Sequence, residues 1–142
     1  MIHTSYLADV LDKARFKVTL ERAARAVESV EFDAIACTGN SGTLFCGALS
    51  NMMGKSLLLV RKPSENSHVI ENGDFLKNWQ NELSFIVEGD IDAKTYVFVD
   101  DLIFTGGTFR RVRESIAQVV PHMKCVATYQ YQRDLLNTVA TW

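Results

Sequence analysis

Residues 96–108 read YVFVDDLIFTGGT, and their order decides the architecture. Tyr96 to Val99 is a short apolar run, the pattern of a parallel strand buried on both faces. Asp100 and Asp101 follow at its carboxyl end, then the turn Thr105-Gly106-Gly107-Thr108, then an amphipathic stretch that predicts a helix. Ligands of open α/β sheets collect beyond the carboxyl ends of the strands. A Gly/Thr turn opening a helix offers amide groups and a positive dipole end to a phosphate. Two carboxylates and a phosphate cradle so close together suit one ligand carrying both a diol and a phosphate, the shape of a ribose 5-phosphate. The plain alternative is a strand capped by two solvated aspartates and a glycine-rich turn.

Working outward, the remaining segments alternate between helical and strand patterns. Thr19 to Val30 predicts a helix, with Thr19 as cap, Glu21 in the first turn, and Leu20, Ala23, Ala24, Val27 and Val30 on one face. Ala34 to Cys37 has the pattern of a buried strand, followed by a TGNSG loop (Thr38 to Gly42). A helix from about Thr43 to Met53 comes next, closed by Gly54, and then a second buried strand from Ser56 to Val60. Arg61-Lys62-Pro63 opens a polar stretch, Ser64 to Glu82, with turn formers at Asn66, Asn72, Gly73 and Asp74. Leu83 to Val87 is a further strand candidate, antiparallel to a short one around His68 to Ile70. The helix after the quoted motif points Phe109, Val112, Ile116 and Val119 inward and Arg110, Arg111, Arg113 and Glu114 outward. Pro121 ends it, and Cys125 to Tyr131 supplies a last strand. This alternation implies an α/β fold with a central parallel sheet flanked by helices.

With 142 residues, the chain fits a single domain, 1–142. Apolar residues at 47% and charged residues at 23% argue against disorder. A net charge of −2 gives no reason to expect nucleic acid or an anionic membrane as partner. Met1-Ile2-His3-Thr4 lacks the start of a signal peptide, and no apolar stretch is long enough to cross a bilayer, so the expected location is cytoplasmic. Cys37, Cys46 and Cys125 are odd in number and never spaced C-x-x-C, and His3, His68 and His122 are scattered. Neither a disulfide framework nor a protein-only metal site is expected, and each cysteine is expected to pack as a small apolar residue.

The quoted motif resembles the phosphoribosyl pyrophosphate (PRPP) binding signature of the type I phosphoribosyltransferases, which have a Rossmann-like fold. In that pattern an apolar strand is followed by two acids, two apolar residues, a variable residue and Thr-Gly-x-Thr. The similarity extends from roughly residue 20 to residue 131. It implies that Asp100 and Asp101 hydrogen-bond the ribose hydroxyls and that Thr105, Gly106, Gly107 and Thr108 hold the 5′-phosphate. It also implies that Thr38, Gly39, Asn40, Ser41 and Gly42 bind pyrophosphate, although Ser41-Gly42 stands where many members have Arg-Gly. Residues 64–82 occupy the place of the family's mobile loop, and only 1–18 and 132–142 remain to build the small hood that holds the base. Mg²⁺, carried by PRPP's own oxygens, is the implied cofactor. PRPP and a nitrogenous base are the implied partners, with a homodimer as the expected assembly.

Several residues refine this reading. Arg61 and Lys62 end a buried strand on the ligand side, where two cations would offset a departing pyrophosphate; with Asp100 and Asp101 they form the expected catalytic set. His68 and Lys77 are weaker candidates in a loop poor in cations, where Glu65 stands near an expected lysine. Phe104 occupies the variable place, where relatives acting on 6-oxopurines carry an aspartate that exchanges a proton with the purine. Phenylalanine cannot do so, which points to an orotate- or adenine-like base, with Phe104 and Ile103 as candidates for its pocket. Phe104 could equally obstruct that pocket or pack beneath the turn. Tyr129, Tyr131, Trp142, Tyr6 and Phe16 could wall a base by stacking or simply pack in the core or a dimer. Two functions follow: a phosphoribosyltransferase of nucleotide synthesis or salvage, or a non-catalytic PRPP- or nucleotide-binding regulatory or interaction protein on the same fold.

Overall fold

The structure, a computed structural model, describes residues 7–61 and 86–139. Its centre is a strand whose first four residues are all apolar. β1 (Ala34–Thr38) is buried throughout because it divides its side chains between two cores: Ile35 and Cys37 face one, Ala34 and Ala36 the other. β4 (Thr95–Asp100), beside it, sends Val97 and Val99 to the first core and Tyr96 and Phe98 to the second. A strand covered on both faces needs this continuous apolar run. Each such large side chain, fully buried, contributes about 1.5–3 kcal/mol.

Around this pair lie β2 (Ser56–Arg61), β3 (Ile86–Gly89), β5 (Lys124–Gln130) and β6 (Leu135–Thr138), giving the order β3-β2-β1-β4-β5-β6. β2, β1, β4 and β5 are mutually parallel, while β3 and β6 run antiparallel along the two edges. The short helix α1 (Ala8–Leu11), α2 (Lys13–Val27) and α3 (Gly39–Met53) contribute to the first core, through Val10, Leu20, Ala23, Val27, Phe45, Cys46 and Leu49. α4 (Gly107–Val119) covers the opposite face with Phe109, Val112 and Ile116.

Sequence and structure differ at several boundaries. α2 starts six residues before Thr19, with the Asp12 carboxylate accepting from Arg15 N at 2.9 Å as its cap; Thr19 is buried in mid-helix. α3 starts at Gly39 rather than Thr43, so most of the TGNSG segment is helix and not loop. Gly39 at φ 72° makes the direct turn from strand to helix. On α4, Val119 is 55% exposed and Val120 is buried in its place, because the chain leaves helical geometry at Val120. Of the strand expected over Leu83 to Val87, Ile86 and Val87 begin β3, antiparallel to β2, while 83–85 and the suggested partner at 68–70 lie outside the described residues. Residues 135–138, set aside above for a hood, extend the sheet as β6. The expected central parallel sheet is present, with an antiparallel strand along each edge. Among the described residues, no helix is long and apolar enough to cross a membrane.

One feature of the topology positions the site. From β1 the chain passes through α3 to β2 on one side; from β4 it passes through α4 to β5 on the other, and α3 and α4 lie on opposite faces. The sheet order reverses between β1 and β4, and the crevice beyond their carboxyl ends is where such folds bind ligands.

Candidate functional site

That crevice gathers most of the expected residues. Asp100 ends β4 and is 9% exposed; its Oδ1 accepts from Asp101 N at 2.9 Å, and Asp101 Oδ1 accepts from Leu102 N at 2.8 Å. The backbone beneath is held by the turn after β5, with Tyr131 N donating to Asp100 O at 3.0 Å and Gln132 N to Asp101 O at 3.2 Å. The acid pair thus stands on a fixed strand end, with its orientation set locally by its own amides.

Gly106 follows at φ 78° and ψ 3°, and α4 begins with the next residue. Thr105 Oγ1 accepts from Gly107 N at 3.3 Å, closing the turn. Residues 102–109 line a cavity of about 120 Å³ here, the liquid volume of roughly four waters. The first turn of α4 has no acidic residue and is followed at once by Arg110 and Arg111. Nothing on the helix itself offsets its positive end, a setting that favours a bound anion.

Across the crevice, β1 ends level with β4. Thr38 is 4% exposed and its Oγ1 has no hydrogen-bond partner among the described residues, a costly condition for a buried hydroxyl. Gly42 faces the acid pair: a Cβ there would stand 3.5 Å from Asp100 Oδ1 and 3.8 Å from Val99 O. An alanine would only touch; anything longer would press on the carboxylate. Gly39, Asn40 and Thr43 share a cavity of about 350 Å³ with Leu59, Val60 and Arg61 of β2. Arg61 is not a lone cation: its Nη2 lies 3.4 Å from Glu88 Oε2 of β3, while its buried Nε has no partner among the described residues. A ligand anion would compete with Glu88 for this guanidinium.

Other expectations fall differently. Lys62 and the stretch 64–82, with His68 and Lys77, lie outside the described residues, as do Tyr6 and Trp142. Phe104 is 77% exposed, which removes the reading in which it packs beneath the turn; the Arg133 guanidinium sits 5.6 Å from its ring centre. Ile103 is half-buried against the second core. Tyr129 and Tyr131 are fully buried, Tyr131 stacked on Phe45 at 4.0 Å, and Phe16 packs on Phe45 from the other helix, so all three serve the core. Burial pushes the Cys46 thiol well above its usual range and Cys125 up to about 11, so neither is a ready nucleophile.

Gln130, Glu88 and Arg133 escape the sequence reading. Gln130 carried one visible signal: an amide side chain between two aromatic residues, Tyr129 and Tyr131, at a strand end.

Comparison with known proteins agrees with this arrangement. No protein-family model matches the sequence. The chain is 34% identical over 114 residues to an adenine phosphoribosyltransferase of Mycoplasma pneumoniae (strain ATCC 29342 / M129 / Subtype 1), covering 77% of this chain and 63% of that protein. It is 29% identical over 132 residues to the adenine phosphoribosyltransferase of Thermosipho africanus (strain TCF52B), covering 89% and 78%. The crystal structure of adenine phosphoribosyltransferase from Thermoanaerobacter pseudethanolicus superposes with a TM-score of 0.60 at 25% identity, covering 85% of this chain and 70% of that one. The chain thus spans roughly three-fifths to four-fifths of the length of the curated relatives it matches. By sheet order and sequence together, the chain is similar to the type I phosphoribosyltransferases, and the relatives it matches are adenine members of that family.

Proposed function

We propose that this protein transfers 5-phosphoribose from PRPP to a nitrogenous base, adenine or a base like it, with release of pyrophosphate in nucleotide salvage. The observation that carries this reading is the meeting of three elements at one switch point: the acid pair, the α4 cradle and the α3 start with its orphaned Thr38 hydroxyl. Relatives named as adenine enzymes favour catalysis over the non-catalytic alternative.

Breaking the bond between C1 and the pyrophosphate oxygen builds positive charge on the ribose ring and negative charge on the leaving group. In this reading Asp100 and Asp101 accept from the ribose hydroxyls and fix the ring. The amides of residues 106–108 hold the 5′-phosphate. Thr38 donates its hydroxyl to the departing pyrophosphate, with the amides of residues 39–42, Arg61 and Lys62 adding positive potential. The work is positioning and electrostatics, so no protein nucleophile is required.

The described residues hold no group of three or more His, Cys, Asp or Glu that would cage a metal ion. Mg²⁺ commonly keeps waters and substrate phosphates as ligands, so a cation delivered by PRPP needs no cage of protein side chains, and Asp100 and Asp101 are the carboxylates that would face it in this reading. Bound there, it would neutralise charge on the leaving group. In this reading Phe104 and Ile103 contribute to the base pocket. A cytoplasmic homodimer completes the proposal.

Pyrophosphate release from PRPP and Mg²⁺ with adenine, orotate, hypoxanthine and guanine tests it. Release with adenine or orotate is expected. PRPP binding without turnover of any base would restore the non-catalytic reading.

A further inference from the structure

Beyond the residues that would touch PRPP, and resting on the reading just given, one side chain outside every recognised motif sets the geometry of the site. Gln130 closes β5 and is 4% exposed; its Oε1 accepts from Ile103 N at 3.0 Å. Ile103 lies in the middle of the link between the acid pair and the cradle. Side-chain hydrogen bonds within the link join Asp101 N to Asp100, Leu102 N to Asp101 and Gly107 N to Thr105. Among the described residues, Gln130 ties the middle of the link to β5.

Its own setting is rigid. The next two residues hold the acid pair from below, Tyr131 N on Asp100 O and Gln132 N on Asp101 O. The turn they begin is bound to α2, where Arg22 donates to Tyr131 O. Asp134 accepts from the Tyr129 hydroxyl at 2.7 Å and lies 3.9 Å from Arg22 Nε. A buried amide costs stability unless it is hydrogen-bonded, and here its oxygen engages the loop that separates diol partner from phosphate cradle. We infer that Gln130 is a positioning residue: it fixes the height of residues 101–105 so that acid pair and cradle engage one ligand together.

Gln130→Met keeps length and volume and removes the acceptor. Calorimetric titration of this variant with ribose 5-phosphate, which needs both halves of the link, is expected to show affinity about tenfold weaker, equivalent to about 1.4 kcal/mol. Inorganic pyrophosphate with Mg²⁺, which needs only the β1–β2 side, should bind within twofold of wild type. Amide exchange at Ile103 should accelerate while the centre of β4 stays protected. Gln130→Glu, which retains an oxygen within reach of the Ile103 amide, should keep that protection, and it replaces the Met variant if the latter does not fold. Equal weakening of both ligands by Gln130→Met, unchanged ribose 5-phosphate affinity, or loss of Ile103 protection in Gln130→Glu would overturn the inference. If wild type binds neither ligand, the proposed function itself falls, a different result.

Discussion

Gly106→Ala and Gly106→Asn together separate what the cradle contributes to stability from what it contributes to binding. Gly106 sits at φ 78°, where an L side chain costs about 1–2 kcal/mol in the left-handed region. Among the described residues a Cβ there meets no atom within 4 Å, so no clash with them adds to that strain. For a chain of this length about 1 kcal/mol moves the melting temperature by roughly 3–4 °C, so alanine should lower it by about 3–8 °C. Asparagine visits this conformation readily and should lower it less. Both side chains, however, project into the open side of the turn, where the phosphate would approach. Ribose 5-phosphate at 100 times its dissociation constant stabilises wild type by about 2.7 kcal/mol. Thermal melts with and without that ligand should therefore show a large shift for wild type and less than a third of it for both variants. If Gly106→Asn keeps the full ligand shift, the phosphate does not sit on this turn and the reasoning fails.

Asp100→Asn combined with Asp101→Asn preserves the acceptors that take the Asp101 and Leu102 amides. It should leave melting nearly unchanged while weakening ribose 5-phosphate at least about tenfold in calorimetry, the scale of lost charge-assisted hydrogen bonds; wild-type affinity would refute the ribose assignment. Glu88→Gln removes a half-exposed ion pair worth at most about 1 kcal/mol and releases Arg61. Pyrophosphate should then bind about two- to fivefold tighter, and no change would mean that Arg61 does not face the ligand. Phe104 should exclude turnover of hypoxanthine and guanine in a pyrophosphate-release assay. If no base reacts with wild type, gain of activity in Phe104→Thr would show that the exposed ring obstructs the pocket.

The strands at the site were legible because burial on both faces leaves a run with no polar residue, as in Ala34 to Cys37 and Tyr96 to Val99. The acid pair and the Gly106 turn were legible for a related reason: carboxylates and glycines at a strand end have no packing purpose. The start of α2 was not, because Lys13 to Val18 are mostly exposed and offer little periodicity before Leu20. α3's early start was hidden by Gly39, which reads as a loop residue but here turns the chain straight into a helix. β6 escaped because its residues are largely exposed on an edge and lack the apolar alternation of an inner strand. The partners of the site were least visible. That Glu88 reaches Arg61, or that Gln130 reaches Ile103 from 27 residues away, depends on register between strands distant in sequence.

A crystal structure with PRPP and Mg²⁺ tests the central claim most directly. The account predicts the 5′-phosphate on the amides of residues 106–108, the ribose hydroxyls on Asp100 and Asp101, and the pyrophosphate between the Thr38 hydroxyl and Arg61. PRPP bound away from the crevice between β1 and β4, or bound there with its phosphate ends reversed, would contradict it.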